Sequence, residues 1–206
     1  MSTPIGRRAL LDRAWGLALT SLACTALEAL AALGFGAAAR STALLGFGAD
    51  SLIELASGVL AAWRIASERG GRVDDSGIER LERRTGRIAG ALLLAVGAWI
   101  VWDAIARLTA RAAPPGESPG GIVVAAASTV VMPLLGRAKR RVANALDSAT
   151  LRADSVETIV CGWLAAATLV GLALHAAFGW WWADPVAGLG LVPLIAREGL
   201  EGLRGE

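Results

Sequence analysis

STALLGFGADSLIELASGVLAAW, residues 41–63, is long and apolar enough to cross a bilayer, yet it carries Asp50 and Glu54. A helix needs about 20 residues to span the hydrocarbon core. A charged side chain at that depth costs about 3 kcal/mol or more, so an intramembrane acid marks a functional site by default. Asp50 and Glu54 are four residues apart and share one helix face. A second apolar run begins near residue 149 and reaches about 177. It bears Asp154, Glu157 and Cys161 at i, i+3 and i+7, again on one face. Two facing acidic stripes, one with a thiol, describe a cation site between two membrane helices.

Working outward, the chain divides into six apolar stretches, at about 14–38, 41–64, 85–110, 118–137, 149–177 and 184–203. The first contains Glu28 and the third Asp103. Trp180, Trp181 and Trp182 read as an interfacial aromatic anchor after the fifth. Asp184-Pro185 reads as the start of the sixth, with Asp as N-cap and Pro at the first helical position. Pro133 is expected to bend the fourth. Residues 1–13 are short and basic, and the apolar run after them is too long for a signal-peptide core. The expected fold is all-α: one polytopic membrane domain over residues 1–206, with six transmembrane helices and no soluble C-terminal domain.

Composition agrees with this reading. The 206 residues are 55% hydrophobic with a net charge of +2. Nucleic acid is excluded as a partner, because the basic residues cluster in loops rather than on one binding face. Of the 20 basic residues, only Arg40, Arg107 and Arg111 fall on one side of the six spans. The other side holds the rest, including the run Arg137, Lys139, Arg140 and Arg141. That bias places both termini in the cytoplasm and the protein in the cytoplasmic membrane. Cys24 and Cys161 both fall in apolar runs, which argues against a disulfide framework. The lone histidine, His175, rules out zinc-enzyme motifs of the H-E-x-x-H type and reads as interfacial.

Gly48-Ala49-Asp50-Ser51 is echoed by Arg152-Ala153-Asp154-Ser155 at the second cluster. At these residues the chain resembles the cation diffusion facilitator, or cation efflux, family. STALLGFGADSLIE (residues 41–54) is similar to its second span. SATLRADSVETIVC (residues 148–161) is similar to its fifth, and WWADPVAG (residues 181–188) to the start of its sixth. The resemblance extends over nearly the whole chain and is nearest to a short subgroup that ends after span six, which includes zinc-efflux transmembrane proteins. Carried over by position, the transport site falls on Asp50, Glu54, Glu157 and Cys161. Two features depart from the pattern. Glu157 and Cys161 stand where the family usually has His and Asp, and the cytoplasmic C-terminal domain and any His-rich loop are missing. The resemblance further implies a homodimer, with a divalent metal ion and protons as the transported partners.

The chemistry is coherent on its own terms. Three carboxylates and a thiolate make a four-coordinate site, and the thiol favours zinc, cobalt or cadmium over magnesium or calcium. Iron is also within the range. No prosthetic group is needed, because the cation, Zn²⁺ first among the choices, is the substrate. Three close carboxylates cannot all stay ionised in a low dielectric, so metal entry must displace protons. The expected function is metal/proton antiport without enzymatic activity. A metal-sensing or scaffold protein is the alternative, and an intramembrane metalloenzyme ranks third. Asp154, a possible accessory ligand, reads equally as guiding ions or capping the helix and as binding metal. Glu28 reads as a group behind the ligands, as a proton carrier, or as a helix-packing hydrogen-bond partner. Asp103 and Asp184 read as interfacial.

Overall fold

The computed structural model describes residues 4–70, 75–109 and 115–204. Gly71, Arg72, Arg111 and Pro114 of the expected loops lie outside the described residues. The described chain is all-helical: α1 (Pro4–Ala39), α2 (Thr42–Arg69), α3 (Asp75–Leu108), α4 (Pro119–Leu146), α5 (Ala149–Phe178) and α6 (Ala183–Arg204). Four of these, α1, α2, α4 and α5, are long and apolar enough to cross a membrane.

Several helices outrun their apolar stretches. α4 continues through Arg137, Lys139, Arg140 and Arg141 to Leu146. Apolar content marks only the hydrocarbon depth, whereas Arg, Lys, Ala and Leu keep the helix going beyond it. The ends are set by local chemistry. Ser41 caps α2 by accepting from the Leu44 amide, and Ser148 caps α5 by accepting from Leu151. Asp147, in the left-handed region, closes α4, so α4 and α5 form a tight antiparallel hairpin. Gly179 (φ 67°) closes α5. Beyond it Phe178, Trp180 and Trp182 stack with successive ring centroids 5.3 Å apart, which gives the expected aromatic anchor a defined shape.

α2 is the central helix and packs against α1, α3, α5 and α6. Glycines permit the close approaches. A Cβ on Gly46 would meet Ile100 at 2.7 Å, and one on Gly48 would meet Leu33 at 2.8 Å. On the α4–α5 interface a Cβ on Gly162 would strike the Pro133 ring at 2.5 Å. Small residues at helix crossings are what membrane packing requires, since backbone contact replaces the hydrophobic drive of water.

Burial is inverted relative to a water-soluble bundle. Leu27, Leu30, Val123, Trp102 and Trp163 point outward, each about two-thirds exposed or more. Glu28, Asp50, Glu54, Asp103, Asp184, Lys139 and Asp154 point inward. A surface of large apolar side chains around a polar interior is a lipid-facing surface. Asp103 and Asp184, expected near the outer interface, are buried within the bundle. Asp184 is fully buried and does not cap α6. It accepts from Ser41 Oγ and, at 2.9 Å, from the Thr42 amide, so it caps α2. Asp103 accepts from Thr42 Oγ1 and is paired with Arg107 at 2.7 Å. The α2 N-terminus leaves its first amides without helical partners, and the buried Asp184 carboxylate of α6 meets that need, while Asp103 of α3 holds the Thr42 hydroxyl.

Candidate metal centre

α2 and α5 run antiparallel through the middle of the bundle, with α1 and α4 beside them. Their polar faces meet at three donors: a carboxylate oxygen of Glu28 from α1, one of Glu54 from α2, and the Cys161 sulfur from α5. All three atoms lie within 4.8 Å of one another, and all three residues are buried. Cys161 Sγ donates to Glu28 Oε1 at 3.2 Å, and Ser51 Oγ donates to the same oxygen at 2.7 Å. Both oxygens of Glu54, and Glu28 Oε2, are buried without a well-aligned hydrogen bond among the described residues, with Ser128 near Glu28. Thr158 and Cys161 lie beside Glu54.

Unpartnered buried carboxylate oxygens call for an explanation, and a cation is one that fits the donor set. Around zinc, with bonds of about 2.0 Å to oxygen and about 2.3 Å to sulfur, neighbouring tetrahedral donors sit roughly 3.5 Å apart. The Glu28–Cys161 contact is already that short. The widest separation in the group has to close by only about 1 Å, which side-chain rotation can supply.

Of the four residues expected from sequence, Glu54 and Cys161 come together. Asp50 and Glu157 lie one helical turn away, about 6 Å along the axis. Because α2 and α5 are antiparallel, Asp50 lies on one side of the three-donor group and Glu157 on the other. Asp50 is buried, and its charge reaches Cys161. Glu157 is half-buried and accepts from Ser57 Oγ of α2 at 2.7 Å. Glu28, an accessory candidate in the sequence, occupies a place in the central group. Cys24, one turn before it, is a free thiol outside the group.

Asp154 lies inside α5, whose cap is Ser148, so it is not a helix cap. It is buried and paired with Lys139 at 2.8 Å. Lys139 is the residue that sequence reasoning misplaced. Its place in a run of basic residues puts it in a loop, but α4 carries it into the bundle. The available signal was its type, a single lysine where every other basic residue is arginine.

Residues 18–204 match the family model of the cation efflux transmembrane domain. The chain belongs to the cation efflux family. It is thus a multi-pass integral membrane protein of a transporter family. This cation efflux chain is also 29% identical, over 161 residues, to an uncharacterized transporter, sll1263, of Synechocystis sp.. That alignment covers 77% of this chain and 52% of the relative, so the chain spans about half the length of the curated relative it matches.

Proposed function

We propose that this cation efflux chain exports a divalent transition metal, zinc or a close relative such as cobalt, cadmium or iron, in exchange for protons. The observation that carries the reading is the buried Glu28/Glu54/Cys161 group with its unpartnered Glu54 oxygens. In the loaded state Asp50, Glu54, Glu157 and Cys161 hold the ion, the outer two reaching in from either side. Glu28 takes the thiol proton's hydrogen bond when the metal leaves, as it does here. All six helices span the membrane with both termini in the cytoplasm, α3 and α6 shielded from lipid in part by α2 and α5. A rocking of helix groups about the midplane site would alternate its access. The working unit is a homodimer in the cytoplasmic membrane.

Purified protein in proteoliposomes tests the transport itself. Zn²⁺ flux is expected to follow a proton gradient and to fall as pH falls, because each ligand must lose its proton before binding metal. Metal binding without flux would favour the alternative, a sensing or scaffold protein. Flux independent of pH from mildly acidic to neutral would remove the proton-exchange step.

Metal choice rests on the thiol. Cys161→Asp is expected to shift preference toward harder ions such as manganese and to weaken Cd²⁺ binding by about tenfold or more. Competition among these ions on the purified variant provides the measurement. An unchanged order of preference would reduce Cys161 to a packing residue.

Orientation is tested with reporter fusions at residue 1, in the loop between α3 and α4, and after α6. Cytoplasmic signals are expected from the two ends and an external one from the loop. An external C-terminus would overturn the six-span reading.

A further inference from the structure

Lys139 lies on α4 with its side chain only about 6% exposed. Its ammonium nitrogen is 2.8 Å from Asp154 Oδ1, 2.9 Å from Thr158 Oγ1 and 3.2 Å from Ser21 Oγ. Oxygens from α1 and α5 thus surround a point occupied by one positive charge. Two crevices meet there. One is lined by Thr25, Gly58 and Glu54 of the metal centre. The other is lined by Ala14, Ile65 and Val142, toward the bundle end where α2 and α4 stop. Lys139 and Asp154 belong to the wall of both. The pair thus stands between Glu54 and that end of the bundle.

Stability alone is a weak reason for this arrangement. A buried ion pair is often no better than two apolar side chains of the same volume. Residue type points the same way. Arginine would fix a planar fork on Asp154, whereas lysine is a point charge on a flexible stem. α4 runs only seven residues past Lys139, so that stem can carry its charge toward the helix end.

We propose that Asp154, Thr158 and Ser21 form a second cation position on the route to the metal centre, filled by the Lys139 ammonium when no divalent ion is passing. This rests on the transport reading above. An arriving divalent cation repels the ammonium and takes its place against Asp154. Lys139 swings toward the bundle end, the ion moves on to Glu54, and the ammonium returns behind it. Asp154 is thereby never left as a bare buried charge. The order of oxygens along the route, Asp154, Thr158, then Glu54, gives the ion a partner at each step.

On this route the pair acts as a partition; Cys161 lies beyond it and reports on it. In full-length protein carrying Cys24→Ser, reaction of Cys161 with a small neutral maleimide is slow. With Lys139→Ala added it is expected to be about tenfold faster or more, since reactivity of a buried thiol is limited by access. Removing a nearby cation by itself disfavours the thiolate and would slow the reaction, so acceleration reads access alone. Propylammonium, a free surrogate for the lost side chain, is expected to slow the labelling of Lys139→Ala again by refilling the position. An unchanged rate in folded Lys139→Ala overturns the partition, and absence of any effect of propylammonium overturns the cation position. If the single variant does not fold, Lys139→Ala with Asp154→Ala removes the unpaired charge and is expected to label fast; a slow rate there also overturns the proposal. The metal centre is read separately in the same assay. Zn²⁺ protection of Cys161 in the Lys139-containing protein supports it, and lack of protection sinks that centre whatever the partition does.

Discussion

Glu54→Ala lowers metal flux in proteoliposomes by about a hundredfold or more, since losing a buried charged ligand removes roughly that much metal affinity. It does so without destabilising the protein. Neither oxygen of Glu54 has a well-aligned hydrogen bond among the described residues, and its neighbours Cys161 and Thr158 donate to Glu28 and to the Asp154 carbonyl, so its removal strands no donor. A desolvated acid without a partner is a cost to the fold, and alanine relieves it. Flux of the chosen metal and thermal unfolding in detergent are measured on the same preparation. Normal flux in a folded variant would remove Glu54 from the site and, with it, the three-donor group. Asp50→Ala is expected to lose transport as well, as the outer ligand on the same helix face. A large drop in thermal stability for Glu54→Ala would instead assign the residue a structural partner.

Asp184→Ala has the opposite signature. Asp184 is fully buried and both of its oxygens are used, one by Ser41 Oγ and one by the Thr42 amide. Alanine leaves a buried hydroxyl and a buried helix-start amide without acceptors, and it withdraws a negative charge from the neighbourhood of Arg107. The expected loss is about 3 kcal/mol, the range for breaking a buried charge-assisted hydrogen-bond network. It is read as an earlier thermal or denaturant midpoint, with Zn²⁺ affinity of the remaining folded protein little changed because the metal centre is formed by other residues. A loss under about 1 kcal/mol would mean that water replaces the carboxylate at this end of α2. Two buried acids thus separate by a single structural property, whether their oxygens are held by well-aligned donors.

That property was invisible in the sequence. Glu54 reads as half of an acidic pair and Asp184 as the cap of its own helix, but spacing within one helix says nothing of which groups each carboxylate meets on another. Apolar run length did locate the helices, because the hydrocarbon thickness fixes how many residues must be apolar. It could not locate their ends, because α4 and α3 extend as charged helices outside that depth. Ser41, Ser118 and Ser148 cap three of the starts, since a side-chain acceptor for the first amides is a local requirement.

What the sequence determined by itself was the membrane class, the helical architecture, and the placement of Glu54 and Cys161 each on the polar stripe of its own helix. Periodicity within one helix suffices for each of these. What only the tertiary structure decided was which polar groups meet across helices. Glu28 enters the central group because α1 packs antiparallel to α2 with Gly48 admitting Leu33, and that register is set by interhelical packing. Asp50 and Glu157 fall on either side of the group because α2 and α5 oppose each other with one particular axial offset. Lys139 turns from a topology signal into the partner of Asp154 because the hairpin at Asp147 folds α4 back along α5. Helix periodicity tells which side chains share a face, but the rotation and axial shift between two helices are fixed by small-residue contacts and caps distributed over the whole bundle.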